Sequence, residues 1–272
     1  MTIRSKGMVM AAVLAVATLA GSGAGWAAQC GNNANGFEAW KQQMTAEARA
    51  KGIGNRGLKA LQQTRYATAT IRADRGQKSF KYSLKKFMQV RGASTIASKG
   101  KRLKKQHAKL FANLERRYGV PPGPLIAIWG METGFGSFMG NSNLLSATAT
   151  LAYDCRRSEF FTGHLIAALT LVDRGVVSSS SVGAKHGELG QTQFLPGSIL
   201  RYGADGDGNG RLDLVRSRAD ALASTANFLR AHGWRPGAGY QPGQPNFRAI
   251  KGWNAASVYQ QAIAIIGAQI DG

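Results

Sequence analysis

The chain has few of the residues on which metal, redox and membrane-spanning proteins depend. Its 272 residues include two cysteines and four histidines. There is no CxxC pair, and the histidines are too scattered for a zinc-ligand spacing. No apolar run reaches the roughly 20 residues that a membrane span needs, and no phosphate-binding glycine loop is present. These absences argue against a zinc protein, a dithiol oxidoreductase, a membrane span and a P-loop enzyme.

Acidic residues are also scarce: 14 Asp and Glu stand against 35 Lys and Arg, a formal net charge of +21. Such a charge favours a polyanionic partner, either nucleic acid, an anionic membrane or a carboxylate-bearing polymer. The basic runs 83–87 and 98–110 fit solvated helix faces, or alternatively a contact surface for an anionic polymer. Aromatic residues are few among these charges and no nucleic-acid motif is present, so we expect no nucleic-acid partner.

The first 27 residues predict a cleaved signal peptide. Arg4 and Lys6 precede the apolar run 8–21, and small residues flank Trp26. A membrane anchor is the alternative, but the apolar run is short for a span. Export would place Cys30 and Cys155 in an oxidising compartment, where two cysteines can form one structural disulfide. We expect this disulfide to tie the N-terminus to the middle of the chain.

Apolar residues at three-to-four spacing predict helices over 36–52, within 84–118 and over 218–231. The Pro- and Gly-rich segment 120–124 marks a boundary and starts a further helix. The serine-rich segment 176–187 predicts a loop. The expected domains are a signal peptide 1–27, a helical N-terminal subdomain 28–120, a core 121–235, and a C-terminal segment 236–272 packing on the helical subdomain.

A single carboxylate follows the apolar run after Pro124. Leu125, Ile128, Trp129 and Glu132 fall at positions i, i+3, i+4 and i+7, so they share one helix face. Burial on this apolar face would raise the pKa of Glu132, and a protonated carboxyl can act as a general acid. Gly134 and Gly136 end the helix, which would place the carboxyl at the lip of a cleft. The alternative is a capped or ion-paired glutamate at the edge of a helix.

Amide side chains and small residues cluster in GELGQTQFLPG, residues 187–197. Gln191, Gln193 and Phe194 suit the wall of a sugar-binding groove. Glu188 is the nearby carboxylate, and we expect it to line the groove or serve the structure rather than catalysis.

The acidic segment 205–213 resembles the first nine positions of an EF-hand loop. Gly210 stands at the sharp-turn position, and position 12 carries Arg216 where glutamate is expected. We expect a weak structural calcium site, with Asp220 as a possible extra ligand. A turn without a metal is the alternative. The expected ligands are Asp205, Asp207, Asn209, the carbonyl of Arg211, and Asp213.

At this point the chain resembles a lytic murein transglycosylase of the B type (glycoside hydrolase family 103). The resemblance spans nearly the whole chain after residue 27, and its motifs are specific in combination. They are AIWGMETGFG, ATLAYDCRR, ELGQTQFLP, DGDGNG and DALASTANFLRAHGW, with DRGQKSF (74–80) and GWNAASVY (252–259) in addition.

The resemblance implies a mainly α fold, with a lysozyme-like helical core, a helical N-terminal subdomain and a small β or EF-hand-like insertion. It implies Glu132 as the catalytic acid, Gln193 as a substrate contact and, less directly, Tyr259 as an aromatic hydroxyl in the site. One departure concerns the Ser-aromatic-Ala-Gly segment of the family. Residues 184–187 here read Ala-Lys-His-Gly, so a serine contact to the substrate is missing.

We therefore expect an exported, periplasmic, monomeric enzyme that cleaves peptidoglycan glycan strands and needs no cofactor for its chemistry. A single glutamate would act first as acid and then as base, giving a 1,6-anhydro product, so no second catalytic carboxylate is expected. The alternatives are a hydrolytic muramidase on the same scaffold and a non-catalytic cationic protein that binds the cell wall or another polyanion.

Overall fold

A computed structural model describes residues 28–76 and 82–272. The predicted mainly α fold is confirmed: this part of the chain forms thirteen α-helices and a two-stranded sheet. The helices are α1 Phe37–Ala50, α2 Asn55–Gln62, α3 Thr68–Arg75, α4 Leu84–Val90, α5 Ala93–Gln106, α6 Ala108–Tyr118, α7 Pro122–Thr133, α8 Leu144–Tyr153, α9 Ser158–Asp173, α10 Pro196–Tyr202, α11 Arg218–Ala231, α12 Phe247–Trp253 and α13 Ser257–Asp271.

The N-terminal helix α1 packs against the end of α8. Phe37 and Trp40 pack around the ring of Tyr153, at centroid distances of 5.5 and 5.6 Å. The predicted disulfide between Cys30 and Cys155 is present beside this aromatic cluster. The segment before α1 is thus covalently tied to the loop between α8 and α9, as the sequence predicts.

The long helical stretch predicted within 84–118 is confirmed, but it is divided into α4, α5 and α6. Gly92 precedes α5 with a positive φ of 66°, a conformation that glycine adopts without the cost of a side chain. A second break falls at His107. The basic residues of α5 and α6 are mostly exposed: Lys101, Arg102, Lys105, Lys109, Arg116 and Arg117.

Helix α7 runs through the core. Pro122 occupies its first turn, where the missing N–H costs no hydrogen bond, and Gly134 ends it in the left-handed region with φ 58°. The apolar face that the sequence predicts, with Leu125, Ile128 and Trp129, is buried, and so is every other residue of the helix except Glu132. The burial extends to all faces because helices on several sides, α5, α6, α11 and α13, surround α7.

The C-terminal helix α13 packs closely along α7 and α5, and also contacts α4. A glycine permits the approach to α7, since a Cβ added to Gly123 would lie 2.3 Å from the carbonyl oxygen of Gly267. This packing brings the first turn of α13 beside the last turn of α7.

The sheet joins β1 Ser142–Asn143 to β2 Val182–Gly183 in antiparallel register. It is small, as expected, and both of its strands lie outside the aspartate loop 205–213. β2 continues into the segment that carries residues 184–188.

The predicted signal peptide, residues 1–27, lies outside the described residues, as do residues 77–80 of the DRGQKSF segment. Within the described part of the chain, no helix has the length and apolar character of a membrane span. The domain boundaries at residues 120 and 235 stay predictions.

Candidate functional site

A cavity of about 470 Å³ opens beside the C-terminal end of α7. Glu132 forms part of its wall, together with residues of the segment that follows β2. The lining residues come from separated parts of the chain: Arg91, Glu132, Ala184, His186, Glu188, Gln193, Phe194, Leu195, Ser198, Phe228, Trp253 and Asn254.

Two side chains from the C-terminal helices hold the carboxyl of Glu132. The indole Nε1 of Trp253, the last residue of α12, donates a hydrogen bond of 3.0 Å to Oε1. Tyr259, in the first turn of α13, provides a further side-chain hydrogen bond to the same carboxyl. The carboxyl therefore has a fixed direction at the cavity wall.

The surroundings of Glu132 favour its uncharged form. Burial raises the pKa of Glu132 to about 7, and the charge of Glu188 adds to this rise. The hydrogen bonds from Trp253 and Tyr259 and the positive charge of Arg91 act in the opposite direction. A carboxyl with this pKa is protonated in a substantial fraction of molecules near neutral pH, as a general acid requires.

Gln193 and Phe194 lie in the same cavity as Glu132, as the predicted groove wall requires. Gln193 has an unusual backbone conformation for a residue with a side chain, φ 55°, and its amide Nε2 donates to the carbonyl of Gly190 over 2.8 Å. Phe194 packs edge-on against Trp253 with ring centroids 5.2 Å apart. Phe194 thereby supports the indole that holds Glu132.

Two other predicted site residues, Gln191 and Tyr259, are not among the residues that line the cavity. Gln191 directs its amide Nε2 to the carbonyl of Val215, at 3.1 Å, and packs beneath Gly136. Tyr259 is buried, and burial together with the Glu132 charge raises the pKa of its hydroxyl well above the usual value. Tyr259 is therefore a neutral hydrogen-bonding group next to Glu132.

The aspartate loop folds around its own carboxylates. Oδ1 and Oδ2 of Asp205 accept backbone hydrogen bonds from Gly208 and Gly210, and these bonds lower the pKa of Asp205. Carboxylate oxygens of Asp205, Asp207 and the buried Asp220 lie within 4.8 Å of one another.

The other predicted ligands of this loop make local hydrogen bonds. Asp213 lies outside the group of three carboxylates, and its Oδ1 accepts from the N–H groups of Val215 and Arg216. Asn209 accepts from the N–H of Arg211. The assignment of these three residues as ligands stays a prediction.

Sequence reasoning missed Trp253 and Arg91 as members of the site. Trp253 lies 121 residues from Glu132 in the chain, so no local spacing connects the two residues. A weak signal was available, because Trp253 belongs to the GWNAASVY segment that also carries Tyr259. For Arg91, which follows a basic helix, we find no sequence signal.

A carboxyl with a raised pKa, fixed at the wall of a cavity in a helical protein, has the properties that a general acid of the glycosidase class requires. The comparisons with known proteins agree with this class. The model of the transglycosylase SLT domain family matches residues 36–244. The chain therefore belongs to the transglycosylase SLT domain family, which confirms the resemblance seen in the sequence.

Among curated relatives, the membrane-bound lytic murein transglycosylase B of Escherichia coli (strain K12) is 38% identical over 138 residues. This alignment covers 47% of the present chain and 38% of the relative. The chain thus matches well under half the length of this curated relative.

Two solved structures show the similarity of the fold. SltB3 of Pseudomonas aeruginosa, in complex with NAG-anhNAM-pentapeptide, matches with a TM-score of 0.80 and 30% identity, covering 87% of this chain and 80% of that one. The Escherichia coli lytic transglycosylase SLT35, in complex with bulgecin A, matches with a TM-score of 0.75 and 24% identity, covering 90% and 96%.

Proposed function

We propose that this protein is a lytic transglycosylase that cleaves the β-1,4 bond between N-acetylmuramic acid and N-acetylglucosamine in peptidoglycan. The observation that carries the proposal is Glu132, a carboxyl with a pKa of about 7 in a polar cavity. The family and the peptidoglycan fragment bound to SltB3 supply the substrate class.

In the first step, Glu132 donates its proton to the bridging oxygen as the C1–O bond breaks. The positive charge at C1 is stabilised by the neighbouring 2-acetamido group of the sugar. In the second step, the Glu132 carboxylate takes the proton of the sugar's own 6-hydroxyl while that oxygen bonds to C1. The product is a 1,6-anhydro sugar, no water is consumed, and Glu132 is protonated again.

The contacts to Glu132 suit both steps. The hydrogen bonds from Trp253 and Tyr259 stabilise the carboxylate that forms after the first proton transfer. Burial favours the return of the proton in the second step. In this scheme Gln193 contacts the sugar, while Gln191 and Phe194 support the groove.

Export to the periplasm is part of the proposal. It is supported by the signal-like segment 1–27 and by the disulfide between Cys30 and Cys155, a bond typical of oxidising compartments.

A structural calcium ion in the aspartate loop is also proposed. Three carboxylates converge there, and calcium prefers such oxygen ligands. Asp205, Asp207 and Asp220 would hold the ion. Oδ2 of Asp205 and both carboxylate oxygens of Asp220 each accept one backbone hydrogen bond and keep a second lone pair. The calcium complex of SLT35 gives a precedent in a protein of this fold. The ion would stabilise the loop and take no part in the chemistry.

The experiment is mass spectrometry of the muropeptides released from purified peptidoglycan by the chain lacking residues 1–27. We compare it with its Glu132→Gln variant and with a control, Glu115→Gln, which alters an exposed glutamate. Products ending in 1,6-anhydromuramic acid, lost only in Glu132→Gln, support the proposal. Products one water heavier would identify a hydrolytic muramidase. Binding without any product would favour the non-catalytic alternative.

A further inference from the structure

Two polar atoms in the cavity of Glu132 are buried and lack a hydrogen-bond partner among the described residues. They are Nε2 of His186 and Oε2 of Glu188. Buried polar atoms without a partner are uncommon in folded proteins, because each costs free energy. Both residues line the cavity with partly exposed side chains, so a rotation of either side chain would bring its unpartnered atom to a ligand that completes the hydrogen bonds.

The local backbone places both side chains at the cavity. The N–H of Ala184 donates to the carbonyl of Glu188 at 2.8 Å, and the N–H of Gly187 donates to the carbonyl of Ala184 at 3.1 Å. Gly187 has a φ of 82°, and a Cβ there would lie 2.4 Å from the hydroxyl of Thr148. In this tight turn His186 and Glu188 line the cavity, whereas the exposed Lys185 does not.

The carboxylate of Glu188 accepts hydrogen bonds from the backbone N–H groups of His186 and Glu188, and the two side chains share one further contact, which leaves one atom each for another partner. Nδ1 of His186 lies 3.8 Å from Oε1 of Glu188. Oε2 of Glu188 is an acceptor when ionised, and Nε2 of His186 donates or accepts according to its tautomer. The hydroxyl and acetamido N–H groups of an amino sugar supply the matching donors and acceptors.

We propose that His186 and Glu188 form a sugar-contacting pair in the cavity of Glu132, in which Glu188 accepts a hydrogen bond from a sugar N–H or O–H group and His186 contacts a neighbouring hydroxyl. The inference rests on the proposed function for its ligand, an amino-sugar glycan. The pair supplies the polar contact that Ala184 cannot make, since this segment carries no serine. Its role is binding and specificity, and proton transfer remains with Glu132.

The test measures binding separately from catalysis. In the Glu132→Gln background, chitotetraose is titrated by calorimetry into the parent and into variants with His186→Ala, Glu188→Leu or Glu188→Gln. Leucine keeps a similar volume but forms no hydrogen bond, and glutamine restores a neutral acceptor. We expect about a tenfold weaker Kd for His186→Ala and for Glu188→Leu, with partial recovery for Glu188→Gln. Lys185→Ala, in the same turn, is the control that should bind like the parent.

A second ligand identifies the group that is recognised. Cellotetraose carries hydroxyls where chitotetraose carries acetamido groups. A Glu188→Leu effect confined to chitotetraose assigns the contact to the acetamido N–H, and an equal effect on both ligands assigns it to a hydroxyl. The same substitutions in the active enzyme should raise KM more than they lower kcat.

Three results would overturn the inference. They are affinities of the folded His186→Ala and Glu188→Leu variants within twofold of the parent, equal losses for Glu188→Leu and Glu188→Gln, and failure of the parent to bind chitotetraose at millimolar concentration. Failure of the proposed function would look different, because the unaltered enzyme would then release no 1,6-anhydro product while these binding differences persisted.

Discussion

Trp253 controls how readily Glu132 loses its proton. Its indole N–H donates to the carboxyl, which favours the charged form and holds the pKa of Glu132 below the value that burial alone would give. We expect Trp253→Phe to keep the packing on Phe194 but to raise this pKa. The decline of kcat at high pH should then move to higher pH, measured on peptidoglycan between pH 5 and 9.

The matched control for this prediction is Trp234→Phe. Trp234 donates its N–H to the carbonyl of Gly119 at 2.9 Å and lies outside the lining of the cavity. It should leave the midpoint of the pH profile unchanged. A profile of Trp253→Phe that coincides with the parent would show that the indole does not influence the acid.

Burial of Glu132 also makes the stability of the fold depend on pH. The pKa of Glu132 is about 7 in the folded protein against 4.5 for a free glutamate side chain, so the folded state binds more protons between these pH values. The contribution of this proton uptake to the free energy of unfolding is fully present below pH 4.5, and it is lost as the pH rises to 7. We expect Glu132→Gln to be about 3 kcal/mol more stable than the parent at pH 8 and nearly equal to it at pH 4.

Urea unfolding at both pH values measures this difference. Subtracting the unfolding free energy of the parent from that of the variant cancels the contributions of the other titrating groups. Glu115→Gln, an exposed change, should show no such pH dependence. A Glu132→Gln variant that is destabilised at pH 8 would mean that the carboxylate is stabilised by its contacts more than burial penalises it.

At the scale of helices, the α7–α13 contact positions the site. It joins the end of α7, which carries Glu132, to the start of α13, which carries Tyr259. Since a Cβ on Gly123 would lie 2.3 Å from a backbone oxygen, Gly123→Ala must push the two helices apart. We expect a loss of about 1–3 kcal/mol of unfolding free energy, as for overpacked cores, together with reduced activity.

Gly163→Ala provides the comparison for this helix contact. Gly163 lies within α9, and a Cβ there meets no atom within 4 Å. Alanine should therefore stabilise the protein by up to about 1 kcal/mol through helix propensity. Thermal unfolding and muropeptide release are measured on both variants. Equal Tm and equal activity of Gly123→Ala and Gly163→Ala would refute the role of the α7–α13 contact.

The helices show which elements local sequence can predict. Residues 218–231 were predicted as a helix from their amphipathic spacing, with the bounds that the structure gives. In the structure the hydroxyl of Ser217 caps the start of this helix by accepting a hydrogen bond from the N–H of Asp220. The spacing identified an apolar face of α7 but not the burial of its other faces, since spacing describes one helix and cannot show how many neighbours surround it. For the same reason Glu132 could be proposed from local sequence, whereas its donors from α12 and α13 could not.

At the scale of the whole molecule, the sequence predicted two features by different kinds of reasoning, the disulfide and the aspartate loop. The disulfide between Cys30 and Cys155 followed from a count of two cysteines, which leaves one possible pairing. The ligands of the aspartate loop were predicted from the spacing of an EF-hand, and the fold brings together a different set of carboxylates. Asp220, the extra ligand that the sequence analysis considered, joins Asp205 and Asp207 because it lies in the first turn of α11, and no EF-hand position encodes that contact.

Calcium binding to this loop should stabilise the whole protein, because an ion that binds only the folded state adds to the free energy of unfolding. At about ten times the Kd the gain is about 1.4 kcal/mol, which corresponds to a rise of a few degrees in Tm for a domain of this size. We expect this rise with millimolar calcium and a smaller one with magnesium, which demands a stricter octahedral geometry.

Asp207→Asn, at an exposed position of the loop, should reduce the rise, whereas Glu159→Gln on α9 should not. Calorimetric scans with calcium and after chelation measure both effects. An equal rise in the parent and in Asp207→Asn would locate the calcium effect elsewhere, and no rise at all would leave the loop as an Asp-rich turn held by its own backbone hydrogen bonds.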